Sequence, residues 1–198
     1  IFETLKLPVF IKPATMGSSI GITKAKTKEE LILGIESALK YSVKVVVENA
    51  VADPREVEVA VLGNNEPKAS IPGEVIPSNE YYDFEDKYVK GSSKLVIPAK
   101  IGKPLLDDIR FAAVDAFVAI GGVGMARVDF LVSEEGYFVN EINTIPGFTS
   151  ISMYPKLWEA TGVPYRTLIT SLIELAFKRH EEQKSLVKTI ELEKSLGV

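Results

Sequence analysis

The sequence contains no cysteine and a single histidine, His180. The first absence excludes a disulfide frame, a thiol nucleophile and a zinc cluster. The second leaves Ser-His-Asp chemistry one candidate. His180 sits in the charged run KRHEEQK with no serine or aspartate motif beside it, so triad chemistry is set aside. No run of about 18 apolar residues is present, which argues against a transmembrane helix. The longest candidate, Phe111 to Val123, carries Asp115 and two glycines. Neither charge dominates: 23 Lys plus Arg against 27 Asp plus Glu give 23 − 27 = −4. That balance argues against a nucleic-acid or membrane-surface protein. Glutamine is as scarce as histidine, so the composition is short of heat-labile side chains. The start, IFETLKLPVFIKP, has neither an initiator methionine nor a secretion-signal pattern. The expectation is that Ile1 is not the natural start and that the chain is a fragment or a processed product.

What is present is ordinary for a folded protein. Apolar residues make up 46 % of the 198 and charged residues 25 %, enough to build a core in one or two domains. Val9 to Lys12 reads as a strand, residues 13–21 as a Gly/Ser turn and Ile22 to Lys24 as a return strand. Thr27 with Glu30 three residues on is a capping box, opening a helix to about Tyr41. Its apolar stripe is Leu31, Ile32, Ile35, Ala38 and Leu39. KVVVE at 44–48 is a buried strand by composition. Glu56 to Leu62 alternates as a half-buried strand, Gly63-Asn64-Asn65 signals a hairpin, and a strand follows over Ala69 to Ile76. Residues 77–94 are aromatic and charged without a clean period, which reads as a functional loop. Lys103-Pro104 opens a helix to about Ile120, stopped by Gly121-Gly122. Two strands, Met125 to Ser133 and Tyr137 to Asn143, flank Glu134-Glu135-Gly136. A short helix near Tyr154 to Ala160 and a long one after Pro164 close the chain.

The sharpest constellation lies in MARVDFLVSEEGYFVNEINTIPG. Side chains on a strand alternate, so Arg127 and Asp129 share a face, as do Glu141 and Asn143. A three-residue loop 134–136 sets Ser133 opposite Tyr137, Asp129 opposite Glu141 and Arg127 opposite Asn143. A one-residue slip separates the four. Oxygen-only ligands suit Mg²⁺ or Mn²⁺, and the arginine adds a donor fork for a phosphate or an oxyanion. The competing reading is a solvated sheet face with cross-strand salt bridges. Gly147, four residues past Asn143, favours a site, because a glycine backbone can approach a ligand closely.

Three further elements carry weaker signals. Lys12 followed by Met16-Gly17-Ser18-Ser19-Ile20-Gly21 can wrap phosphate oxygens, or can equally be a Gly/Ser hairpin; it is not a Walker A loop. Lys87 and Tyr88 lie in the aromatic loop, which is either a lid over a substrate or a surface loop pinned by its rings. Glu48 and Glu56 flank a turn and can bond nucleotide hydroxyl or amino groups, although solvation is the default for an isolated glutamate.

Together, IKPATMGSSIGI, VVVEN, EVEVAVLG, YYDFEDKY, GMARVDFLV and VNEINTIPGFTSISMYP resemble the D-alanine–D-alanine ligases of the ATP-grasp superfamily, in order from about Leu7 to Ala176. The resemblance implies an α+β chain with the ATP-grasp fold, two subdomains with mainly antiparallel sheets flanked by helices. Residues 1–55 correspond to part of the central subdomain, and 56–198 to the carboxy-terminal one with its lid at 77–94. The family's amino-terminal domain and its upstream phosphate-binding lysine have no counterpart in these residues. The resemblance assigns Lys12 to the ATP phosphates, Ser18 and Ser19 to the loop over them, and Glu48, Asn49 and Val51 to the adenine pocket. Glu56 falls to the ribose and Lys87 to the γ-phosphate. Tyr88 closes the lid onto Ser18. Asp129, Glu141 and Asn143 match the ligands of two Mg²⁺ (or Mn²⁺) ions. Arg127 and Gly147 match the oxyanion contacts, and Ser152 and Met153 the contacts to the second D-alanine.

The implied reaction joins two D-alanines through an acyl phosphate at the expense of ATP, for peptidoglycan precursors in the cytoplasm, in a homodimeric parent. Rivals are a D-alanine–D-lactate or D-serine ligase, or another ATP-grasp carboxylate–amine ligase. Tyr88 speaks for the dipeptide enzyme, since lactate-type relatives carry His there. A synapsin-like ATP-binding module without catalysis is the rival of another class, and Arg127 with the three metal ligands speaks against it. The 198 residues alone are expected to bind nucleotide weakly or not at all, and to be inactive.

Overall fold

The computed structural model describes residues 5–76 and 94–187. Strand β1 (Val9–Pro13) lies between β2 (Thr23–Ala25) and β3 (Val45–Asn49), antiparallel to both. Val9 and Ile11 point to helix α1 (Lys28–Ala38) and pack with Ala25, Leu31 and Ala38. Phe10 and Lys12, on the other face, are left for the opposite side of the sheet. Thr27 caps α1, its hydroxyl accepting from Glu30 N at 3.2 Å. The Glu30 carboxylate reaches back to Lys26 N at 2.6 Å, one residue before the cap. The helix ends at Ala38 rather than Tyr41, and its stripe differs from the expected one. Leu31, Gly34 and Ala38 are buried, whereas Ile32 and Leu39 are exposed. Gly34 takes the inner position because a Cβ there would stand 2.6 Å from Thr23 Oγ1 and 3.0 Å from Ile11 Cδ1.

The second sheet has the order β7-β6-β4-β8-β9, with β5 also on β4. Its strands are β4 (Arg55–Gly63), β5 (Lys68–Ala69), β6 (Gly73–Ile76), β7 (Lys94–Val96), β8 (Gly124–Ser133) and β9 (Gly136–Asn143). All pairings are antiparallel. The single strand expected at 69–76 is two, broken around Pro72. Strand β4 is central and buried on both faces, not half-buried, because β6 and β8 both pair with it and helices cover much of each side. On one face Val57, Val59 and Val61, with Val128 and Phe130 of β8, pack under helix α2 (Lys103–Ala119) through Ile109, Ala113 and Phe117. On the other, Ala60 and Val75 pack under α3 (Met153–Ala160) and α4 (Tyr165–Lys184). Those helices cover only the Ala60 end. Glu56, Glu58, Arg127 and Asp129 occupy the rest of that face by alternation.

Among the described residues no helix is long and apolar enough to cross a membrane. The expected loop 77–94, with Lys87 and Tyr88, lies outside the described residues except for Lys94, which begins β7.

Candidate functional site

The β8–β9 hairpin sets Asp129 opposite Glu141 and Arg127 opposite Asn143. It does so by a different route from the one expected. The turn has two residues, Glu134 and Glu135, with Ser133 opposite Gly136 and Val132 opposite Tyr137. That register puts Tyr137 on the core face, edge-on to Phe130 at 6.0 Å, and carried onward it would put Glu141 there as well. A β-bulge between Asp129 and Phe130 corrects it: Phe130 pairs with Val139 and Asp129 with Glu141, leaving Asn140 as the extra residue.

Arg127 is the centre of the cluster. Its Nε and Nη2 donate to the two carboxylate oxygens of Asp129, each at 2.7 Å. Its Nε also lies 3.1 Å from Glu58 Oε2. Glu58 sits opposite Asp129 on β4 and is only 6 % exposed. Burial is the largest single influence on the Arg127 guanidinium and pushes its pKa down. The charge and hydrogen bonds of Asp129, with the charges of Glu58 and Glu141, overcome it and hold the group well above the ordinary arginine value. Arg127 is thus a permanent cation among carboxylates.

This face looks across a cleft of about 320 Å³ at the other sheet. From that side come Lys12, Glu48, Asn49 and Val51, with the Gly17-Ser18-Ser19 loop. Glu56, Glu58, Arg127, Asp129, Asn140 and Glu141 line the opposite wall. Ser18 and Ser19 both have positive φ, 55° and 60°, a conformation that costs non-glycine residues energy and collects at ligand-binding loops. Lys12 Nζ forms an ion pair with Glu48 and donates to Asn140 Oδ1 at 2.9 Å, joining the two walls.

The remaining predicted residues fall elsewhere. Asn143 shares the Arg127 face, but its Oδ1 accepts from Ile145 N at 3.3 Å and it does not line the cleft. Gly147 and Ser152 are brought together in the following loop, since a Cβ on Gly147 would lie 2.9 Å from Ser152 Oγ. Ser152 Oγ accepts from Thr149 N at 2.9 Å. The Met153 side chain is buried with Tyr154, Leu157 and Trp158 of α3. Sequence reasoning missed Glu58 and Asn140. The valines around Glu58 marked a strand but not its centre, and nothing in VNEIN announces a bulge.

Among the described residues no three His, Cys, Asp or Glu side chains form a ready metal cluster. The donor set still fits Mg²⁺. Asp129 and Glu141 face each other with oxygen donors, and Mg²⁺ takes one or two carboxylates together with substrate phosphates. The charge balance agrees. Among the described residues, Lys12 and Arg127 stand against Glu48, Glu56, Glu58, Asp129 and Glu141, so these carry 2 − 5 = −3.

A family model described as the D-ala D-ala ligase C-terminus matches residues 1–174. The chain belongs to that family. A D-alanine–D-alanine ligase of Chloroherpeton thalassium is 56 % identical over 184 residues, 92 % of this chain and 50 % of that relative. The VanG D-Ala:D-Ser ligase from Enterococcus faecalis matches with a TM-score of 0.79 at 39 % identity, over 88 % of this chain and 51 % of that one. The D-alanine–D-alanine ligase from Bacillus anthracis complexed with ATP matches with a TM-score of 0.74 at 26 % identity, over 92 % and 57 %. These relatives are ligases and the fold is the α+β ATP-grasp arrangement. The chain spans about half the length of the curated relatives it matches.

Proposed function

We propose that this chain is the nucleotide-binding and phosphoryl-transfer part of a D-alanine–D-alanine ligase, with residues 1–55 and 56–198 as its two subdomains. The observation that carries the reading is the cleft in which Lys12 and the Ser18–Ser19 loop face Arg127, Asp129 and Glu141. In the reaction, the carboxylate of one D-alanine takes the γ-phosphoryl group of ATP, and the amine of a second displaces phosphate from the acyl phosphate. Lys12, Ser18 and Ser19 hold phosphate oxygens, and Lys87 adds a second cation. Glu48, Asn49 and Val51 take the adenine, and Glu56 the ribose. Asp129 and Glu141 would hold Mg²⁺, which when bound neutralises phosphate charge, and Asn143 would join them only if its Oδ1 left Ile145 N. Arg127 and the Gly147 N–H stabilise the oxyanion, donors of a kind worth about 3–4 kcal/mol each elsewhere. Ser152 holds the carboxylate of the second D-alanine. Tyr88 shuts the lid and keeps water from the acyl phosphate. The product would feed peptidoglycan synthesis in the cytoplasm, and the whole enzyme would be a homodimer.

The match to a D-Ala:D-Ser ligase supports D-serine as the competing second substrate. The test joins this chain to the remaining amino-terminal part of the C. thalassium ligase and follows phosphate release with D-alanine, D-serine and D-lactate. Turnover with D-alanine as the preferred second substrate is expected, and none from the 198 residues alone. Preference for D-serine or D-lactate overturns the substrate assignment; turnover by the 198 residues alone overturns the division of labour.

A further inference from the structure

Strand β9 carries one residue more than its pairing needs. With Phe130 opposite Val139 and Asp129 opposite Glu141, Asn140 has no partner position on β8. Removing it would leave a regular ladder with the same register, so the hairpin gives no reason for it. A bulge does re-aim a side chain, and this one aims an amide across the cleft. Asn140 Oδ1 accepts from Lys12 Nζ at 2.9 Å, over a sequence separation of 128 residues.

We propose that Asn140 is a positioning residue for Lys12, fixing its ammonium where nucleotide phosphate binds. The proposal rests on the nucleotide-binding reading above. An ammonium has three N–H donors. Glu48 engages one from the Lys12 sheet and Asn140 a second from the opposite wall, so among the described residues one remains for an anion. Lysine's four-carbon stem is flexible, and two acceptors on different sheets define one position for its head. The neutral amide matters as well. It orients the ammonium without cancelling its charge, whereas a second carboxylate would compete with the phosphate.

The test is calorimetry of the chain joined, as above, to the amino-terminal part of the C. thalassium ligase, with a non-hydrolysable ATP analogue and Mg²⁺. Asn140→Ala is expected to bind about tenfold more weakly, the loss typical of one hydrogen bond to a charged group. Lys12→Met should be weaker still, and adding Asn140→Ala to it should change nothing further. A chain with Asn140 deleted should keep the melting temperature of the parent and bind like Asn140→Ala, which separates positioning from folding. Equal binding by Asn140→Ala and the parent overturns the proposal, as does an undiminished Asn140→Ala loss in the Lys12→Met background. Failure of the joined protein with no substitution to bind the analogue overturns the nucleotide-binding reading along with it.

Discussion

Arg127 hydrogen-bonds Asp129 and forms an ion pair with Glu58, and that sets what its removal does. Its side chain is 18 % exposed, and those of Glu58 and Asp129 are 8 % and 14 % exposed. Replacing Arg127 by methionine keeps much of the volume but leaves two shielded anions without their cation. Loss of one member of such a buried pair costs about 3–5 kcal/mol. Arg127→Met is therefore expected to lower the urea midpoint strongly, and a second change, Glu58→Gln, to recover part of the loss by removing one stranded charge. No midpoint change would mean that the cluster is solvated. A second pair behaves differently with pH. Arg55 Nε and Nη2 fork onto Glu74 at 2.7 Å each. That hydrogen bonding, opposed by burial and helped by the charges of Arg55 and Lys100, lowers the Glu74 pKa below the ordinary carboxylate value. A lowered carboxylate contributes stability that is complete above its unfolded pKa, about 4.3, and is lost as pH falls through the lower folded value. Urea unfolding from neutral pH down to about pH 2 should show a steeper acid loss in the parent than in Glu74→Gln. Parallel curves would remove Glu74 from the acid response.

At the scale of elements, the informative places are those where local rules and tertiary contacts disagree. Glycine inside a helix is unfavourable relative to alanine by about 1 kcal/mol, so propensity alone predicts that Gly34→Ala stabilises α1. The close approach of Thr23 and Ile11 predicts the reverse. We expect Gly34→Ala to melt lower than the parent; a rise would show that the Thr23 and Ile11 side chains give way freely. The same conflict sets how far the sequence was legible. Strands with alternating or β-branched residues, the Thr27 cap and the Pro104 helix start are local signals, and each element appears close to its expected place. The outer Ile32 and Leu39 could not be told from inner residues, because burial on α1 is decided by how near β1 and β2 come. At the site, the pairing of Asp129 with Glu141 follows from alternation, yet the turn that was meant to produce it is one residue shorter. The bulge at Asn140 absorbs the difference. Bulges answer to twist and to cross-sheet contacts, here with Lys12, and those have no signature within five residues of sequence.

At the scale of the whole molecule, the cleft's surplus of negative charge governs how it accepts an anion. With 2 − 5 = −3 on the described residues of its walls, a free nucleoside triphosphate meets five carboxylates against two cations, Lys12 on one wall and Arg127 on the other. A divalent cation held by Asp129 and Glu141 would bring that charge to −3 + 2 = −1 and so weaken the repulsion. A ligand held between the two sheets binds the folded chain and not the unfolded one, so it raises the melting temperature by mass action. At a hundred times the dissociation constant the gain is about 2.7 kcal/mol. In the chain joined to the amino-terminal part of the C. thalassium ligase, a non-hydrolysable ATP analogue with Mg²⁺ is expected to raise the melting temperature, and the analogue with EDTA to raise it little or not at all. In Asp129→Asn, Glu141→Gln the wall charge becomes −3 + 2 = −1, and Arg127 loses the partner that occupies its fork. That variant should lose the Mg²⁺-dependent part of the shift while binding the metal-free analogue better than the parent does. A parent shift that is indifferent to Mg²⁺, or a variant that binds the metal-free analogue no better, would show that the carboxylates are not what holds the nucleotide off.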